Sequence, residues 1–146
     1  MPRPTRLNLA GIPQHVTQRG NNRQVCFFDD ADYQLYLGLL GEACKRHQCK
    51  VHAYVLMTNH VHLLITPEIP TGVSLVFRDL DRDYVRQLNR KYRRTGTLWE
   101  GRFKSSLVDH DIYCLTCYRY ISKGAGYEWH LLNLFRVTMF KNTLSG

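Results

Sequence analysis

A single α+β domain, with a ferredoxin-like antiparallel sheet and helices packed on one face, is the architecture this sequence predicts. Three observations lead there. The 146 residues fit one domain, and a composition of 44% hydrophobic with 12% aromatic residues suffices for a packed core. Periodicity alternates between two-residue and helical spacing in the order strand, helix, strand, strand, helix, strand, helix, which suits a sheet with helices layered against it. The two middle strands are joined by Thr58-Asn59 alone, so they must pair as an antiparallel hairpin.

The first ten or so residues are punctuated by Pro2 and Pro4 and carry Arg3 and Arg6, which predicts an extended basic arm able to touch a phosphate backbone. After Pro13, His15, Thr17 and Arg19 alternate with Gln14, Val16 and Gln18, forming a strand that ends at Gly20-Asn21-Asn22. Arg19, Asn22 and Arg23 stand at that strand end. A Gly/Asn turn flanked by two arginines is either an ordinary polar turn or a place to read a nucleic acid. Asp29 or Asp30 can cap a helix whose Tyr33, Leu37, Leu40 and Cys44 fall at helical spacing, with Tyr36 and Ala43 widening the stripe. Lys45-Arg46-His47 place positive charge where a helix C-terminus favours it.

Val51 to Met57 and His60 to Thr66 are the hairpin strands. Pro67 and Pro70 close the second, and Gly72 and Ser74 open a helix running to about Arg93, with Phe77, Leu80, Tyr84 and Leu88 on one face. On another face Arg78, Arg82, Arg86 and Arg90 recur every four residues, followed by Lys91, Arg93 and Arg94. Only Asp79, Asp81 and Asp83 oppose these seven basic side chains, so the helix reads either as a solvated face laced with Asp–Arg pairs or as a phosphate-tracking surface. Its net positive charge favours the second. Trp99 to Val108 reads as a further strand with Arg102 and Lys104 on one face, and Trp99 either stacks on an unpaired base or anchors that strand in the core. Asp109 or Asp111 can cap a last helix, Ile112 to about Lys123, bearing Tyr113, Tyr118 and Tyr120.

Chemistry enters with the second hairpin strand. In an extended chain residues two apart share a face, so His60 and His62 present their imidazoles side by side. Such a pair is either hydrogen-bonded near a sheet edge or part of a metal site, which normally needs three or four ligands. The balance of 20 Lys+Arg against 12 Asp+Glu, net +8 with a pI near 9.4, favours a polyanionic partner over an acidic small molecule. No apolar run is long enough to span a bilayer, and the N-terminus lacks the apolar centre of a secretory signal. A cytoplasmic protein without a membrane partner is therefore expected. Cys26, Cys44 and Cys49 are expected as reduced thiols, and Cys114-x-x-Cys117, with no second pair at matching spacing, as two helix residues. A zinc site using that pair and the histidines is a minor alternative.

The stretch from Ala53 to Leu64, which contains Asn59-His60-Val61-His62, resembles the His-hydrophobic-His strand of the HUH single-strand transposases. Within them it is most similar to the REP-associated tyrosine transposases, relatives of the insertion-sequence 200-like enzymes. Gln14 to Arg23, Leu98 to Ser106, and Cys117-Tyr118-Arg119-Tyr120-Ile121 match further pieces in the same order. The resemblance implies a metal-dependent endonuclease and strand transferase acting on single-stranded DNA with hairpin or palindromic ends. Tyr120 would be the nucleophile of a 5′-phosphotyrosine intermediate, and His60 and His62 the ligands of a divalent Mg or Mn ion. Arg19, Asn22, Arg23, the basic residues of the second helix, Trp99, Arg102 and Lys104 are the expected nucleic-acid contacts.

One position departs from the pattern. Where the resemblance puts a third metal ligand, four residues after the tyrosine, this chain has Gly124, followed by Ala125. A catalytically impaired DNA-binding protein that keeps the fold is therefore the alternative. Residues 1–123 are expected as the catalytic domain. The tail, residues 124–146, with Trp129, Leu131, Leu132, Leu134 and Phe135, is apolar enough to pack on the domain or on a partner subunit, so a homodimer is also open.

Overall fold

The structure is a computed structural model that describes residues 9–107 and 130–131. Strand β1 (Gln14–Arg19) leads through a 3-10 turn (Asn21–Arg23) to helix α1 (Asp30–His47), the hairpin β2 (Cys49–Met57) and β3 (His60–Pro67), helix α2 (Gly72–Tyr92), and strands β4 (Lys104–Leu107) and β5 (His130–Leu131). The sheet order is β4-β1-β3-β2-β5, antiparallel at every junction. Helices α1 and α2 pack on each other and on β2, and α2 also packs on β3. The expected α+β architecture, with helices on one sheet face, is the one observed.

Alternation along the strands sorts the side chains. Val16 on β1, Tyr54 and Leu56 on β2, and Val61, Leu63 and Ile65 on β3 enter one core cluster with the helices. Each of the three β3 residues is essentially inaccessible, and burying such a side chain contributes about 1.5–3 kcal/mol. Helix α2 answers with Val73, Val76, Phe77, Leu80, Tyr84 and Leu88, a stripe at helical spacing. Helix α1 contributes Tyr36, Leu40, Ala43 and Cys44, so its most buried line runs through Tyr36, while Tyr33 and Leu37 are only partly buried beside it.

Local chemistry fixes the ends. Asp29 caps α1 and accepts a hydrogen bond from the Asp32 amide at 3.2 Å, while the Asp29 amide donates to the Asp32 carboxylate, a reciprocal capping box. At the other end of β1, Gly20 has no room for a side chain: a Cβ would collide with the Gln24 carbonyl oxygen and lie 2.8 Å from Cys26 Sγ.

Two expectations need correction. The strand expected from Trp99 begins only at Lys104, because Gly101 takes a left-handed φ of 66° and breaks the extended run. Trp99 makes a lone bridge with Gly20 and is 7% exposed, its ring edge-on to Tyr36 at 6.3 Å. It therefore anchors the core, and a ring so buried has no face to offer a base. The basic arm, the Tyr120 helix with Cys114 and Cys117, Gly124 and nearly all of the tail lie outside the described residues. Among the described residues, Cys26, Cys44 and Cys49 are free thiols, and no helix is long and apolar enough to cross a membrane.

Candidate active site

The same alternation that buries Val61 and Leu63 turns His60 and His62 to the opposite face of the sheet. Their strand neighbours there follow from register: Arg19 opposite His60, Thr17 opposite His62, and Lys104 opposite Thr17. The segment Leu98–Arg102 closes the end of this row, since Asn21 N donates to Leu98 O at 2.8 Å and Glu100 N to Arg19 O at 2.7 Å. Gly20 N, donating to Asn59 O at 2.8 Å, ties the hairpin turn to the same place. The result is a cleft of about 160 Å³ lined by Thr17, Gln18, Arg19, His60, His62, Glu100, Arg102 and Lys104.

The two imidazoles stand 5.2 Å apart between ring centroids, at 74° to one another. His60 Nδ1 lies 2.8 Å from Asn59 Oδ1. An amide oxygen only accepts, so His60 carries its proton on Nδ1 and its lone pair on Nε2. His62 Nδ1 lies 3.1 Å from Nε2 of His15, whose ring is nearly parallel to that of His62, edge to edge with centroids 5.3 Å apart and planes at 11°. Burial, reinforced by the positive charge of Arg19, lowers the His60 pKa. Burial, with His15, His60 and Arg19 beside it, pushes His62 down to about 4. Burial also lowers His15. At neutral pH both cleft imidazoles are therefore uncharged, the form in which imidazole ligates a metal.

As donors they fit part of a divalent metal's shell: two neutral imidazoles whose Nδ1 atoms are already engaged. Among the described residues no group of three His, Cys, Asp or Glu side chains could hold a metal ion. His15 is not part of such a group, and its Nε2 faces His62 Nδ1. A metal held by the pair would take any further ligand from elsewhere in the chain, from substrate or from water.

The cations divide into two groups. Arg19, Arg102 and Lys104 line the cleft, are exposed, and make no ion pair among the described residues. On α2 the arginines are engaged. Arg78 Nε lies 2.9 Å from Asp79 Oδ1, Arg82 lies 3.0 Å from Asp83 and 3.6 Å from Asp79, and Arg86 lies 3.1 Å from Asp83. Lys91 binds Asp29 and Asp32 at 3.3 and 2.9 Å, stitching the end of α2 to the start of α1. Arg94 donates to Asn89 and Gln24. Arg90 and Arg93 are exposed, Arg93 in the left-handed position that ends α2. Asn22 and Arg23, also exposed, hold left-handed φ values of 57° and 58° in the turn after β1.

Two participants escaped the sequence reading as site residues. His15 was placed only as an alternating strand residue, and its approach to His62 depends on a cross-strand register no local pattern states. Glu100, in the cleft through its backbone bond to Arg19, gave no signal beyond its place in a matching motif.

Comparison with known proteins bears on the fold and the site together. The profile of the family described as IS200-like transposases matches residues 9–124, which takes in the cleft and extends through Tyr120. No curated protein is significantly similar in sequence. Among solved structures, a REP-associated tyrosine transposase bound to a REP hairpin is similar with a TM-score of 0.66 at 16% identity, over 85% of this chain and 75% of that one. A putative transposase from Deinococcus radiodurans R1 is similar with a TM-score of 0.56 at 17% identity, over 83% and 96% of the two chains.

Proposed function

Since this chain belongs to the IS200-like transposase family, we propose that it binds single-stranded DNA with hairpin or palindromic ends and cleaves and rejoins it through a 5′-phosphotyrosine link. One observation carries the reading: two neutral imidazoles share a cleft with three cations that have no acidic partner among the described residues. A phosphodiester is the substrate this arrangement suits, because Arg19, Arg102 and Lys104 can meet its oxygens without first breaking an ion pair. The solved relative bound to a REP hairpin supports a structured single strand as the substrate class.

In this mechanism His60 and His62 would hold Mg²⁺ or Mn²⁺, which would polarise the scissile phosphate and ease departure of the 3′ oxygen. Arg19, Arg102 and Lys104 orient the strand and offset the charge gathering on phosphorus. The Tyr120 oxygen forms a bond to phosphorus as the P–O3′ bond breaks. The phenolic proton is lost, the leaving oxygen becomes a 3′-OH, and attack by a 3′-OH later restores the tyrosine. Asn22 and Arg23, at the turn beyond β1, and the exposed Arg90 and Arg93 extend the DNA contact outward. Trp99 takes no part in it beyond holding the Glu100 segment against Gly20.

The test is a covalent adduct, sought on a denaturing gel with hairpin-bearing oligonucleotides labelled on the 3′ side of the scissile bond. It is run in Mg²⁺ or Mn²⁺ beside Tyr120→Phe. An adduct in the wild type that the substitution abolishes is expected. Binding of the same oligonucleotides with no adduct in either protein would instead assign the chain to the second reading, a DNA-binding protein in which Gly124 has ended cleavage.

A further inference from the structure

We propose that His15 is a positioning residue for His62: its Nε2 accepts the Nδ1 proton of His62, which leaves the lone pair of His62 on Nε2 for a metal. This rests on the reading that His60 and His62 are metal ligands. The geometry comes from the β1–β3 ladder, in which His62 pairs with Thr17 and His15 with Leu64, so that the two histidines are diagonal neighbours on the face away from the helices. Their nitrogens are 3.1 Å apart and their rings are nearly parallel at 5.3 Å.

The consequence lies in where one proton sits. A single hydrogen occupies the bond between two neutral imidazoles, and it can belong to either ring. If it belongs to His15, His62 must carry its own proton on Nε2, and that nitrogen cannot ligate. If it belongs to His62 Nδ1, the lone pair is on Nε2. His60 reaches the same state by a different partner, because Asn59 Oδ1 can only accept. Both imidazoles are thus held at Nδ1 by the protein, one by an amide and one by a third imidazole. The hydrogen bond also constrains the ring of His62, since rotating it by half a turn would exchange Nδ1 for a carbon facing His15 Nε2. Partners of this kind around ligating histidines change metal affinity by about 10- to 100-fold.

Two measurements on the full chain test this. Mn²⁺ affinity is compared by calorimetry among wild type, His15→Phe and His15→Gln, where Phe keeps an aromatic ring without an acceptor and Gln restores an acceptor. Nitrogen-15 spectra of the histidine rings, without metal, report which nitrogen of His62 bears hydrogen. The expected results are Nδ1–H on His62 in the wild type, Mn²⁺ binding weakened about tenfold or more in His15→Phe with the Nδ1–H preference lost, and recovery of both in His15→Gln. Wild-type His62 protonated at Nε2 overturns the proposal without recourse to any variant, so a His15→Phe chain that failed to fold would not rescue it. Unchanged Mn²⁺ affinity in a folded His15→Phe overturns it as well. A wild-type chain that binds no Mn²⁺ removes the metal reading itself and the proposal with it, an outcome distinct from a metal-binding wild type indifferent to His15.

Discussion

Two sets of positive charge lie on this molecule, and they differ in what they face. On α2, Arg78, Arg82 and Arg86 recur at helical spacing, yet all three point at carboxylates, Asp79 or Asp83, carried by the same helix. In the cleft, Arg19 comes from the end of β1, Arg102 from the loop after Trp99, and Lys104 from the start of β4, and among the described residues no acid pairs with any of them. Local periodicity advertised the first set, and tertiary structure assembled the second. A helix that interleaves Asp with Arg satisfies its own charge, whereas cations brought together from three segments stay available to a polyanion. The difference predicts which set a phosphate backbone meets first.

The largest effect should come from within the cleft but leave binding alone. His60→Ala or His62→Ala should lower the rate of adduct formation by on the order of a hundredfold or more, since a bound divalent ion supplies several kcal/mol of charge stabilisation. Oligonucleotide affinity should change little, as measured by fluorescence anisotropy, because the cations that hold the strand remain. Equal loss of binding and cleavage would break the division between the cleft's chemistry and its charge.

Next comes a direct contest between the two sets. Replacing Arg19, Arg102 and Lys104 together by Ala should weaken binding to single-stranded DNA by roughly tenfold or more at 0.15 M salt. It should also flatten the log–log salt dependence by about 2, three contacts at about 0.7 each. The corresponding replacement of Arg78, Arg82 and Arg86 should flatten it by less than half as much. A larger loss on the helix would reverse the assignment and restore α2 as the main phosphate track.

How much of this was legible in the sequence depends on the range of the interaction. The hairpin, the capped first helix and the apolar stripe of α2 are set by neighbours a few residues apart, and they appear where spacing put them. So does the His60/His62 pair, since two-residue alternation needs only one strand. Trp99 shows the limit. Its basic surroundings suggested base stacking, but the packing partner that decides the matter, Tyr36, is more than sixty residues away in sequence. Gly101 is the second case: extended-looking residues on either side hid a left-handed break that delays β4 to Lys104. His15 is the third, because only the β1–β3 register brings it to His62. Sequence pointed to the two imidazoles, and register brought a third beside one of them.

Asp79 offers a way to move charge from one class to the other. Its side chain is 4% exposed and holds His47 at 2.7 Å, Arg46 at 2.8 Å and Arg78 at 2.9 Å, with Arg82 further out. The His47 hydrogen bond first, then those from the two arginines, keep its carboxyl well below the usual carboxylate range. A carboxyl whose pKa is depressed by folding stabilises the fold above the unfolded value near 4 and loses that contribution as pH falls below it. Asp79→Asn should therefore destabilise the protein at pH 7 by about 1–3 kcal/mol and have little effect near pH 2, read from urea unfolding at both pH values. The same substitution frees Arg78 on α2, while Arg82 keeps its pairing with Asp83. If pairing is what keeps α2 from the DNA, the salt dependence of binding should steepen by about 1.

An effect of the opposite sign belongs to the third aspartate of α2. Asp81 faces inward: Gln18 Nε2 donates to its Oδ2 at 2.8 Å, and its buried Oδ1 has no hydrogen-bond partner among the described residues. Burial pushes its carboxyl up to about 7, opposed only weakly by the Gln18 hydrogen bond. The unfolded chain ionises near pH 4, so below that value the group is protonated in both states. Between about pH 4 and 7 folding keeps a proton that the unfolded chain would release, and stability is lost as pH rises through that window. Asp81→Asn removes the ionisation while keeping an amide that can bond Gln18. It should therefore raise stability at pH 8 by about 2 kcal/mol and leave it unchanged near pH 4. No change at pH 8 would mean that the Asp81 carboxylate finds compensation where it sits, and that α2 tolerates an unpaired acid on its inner face as readily as a paired one on its outer face.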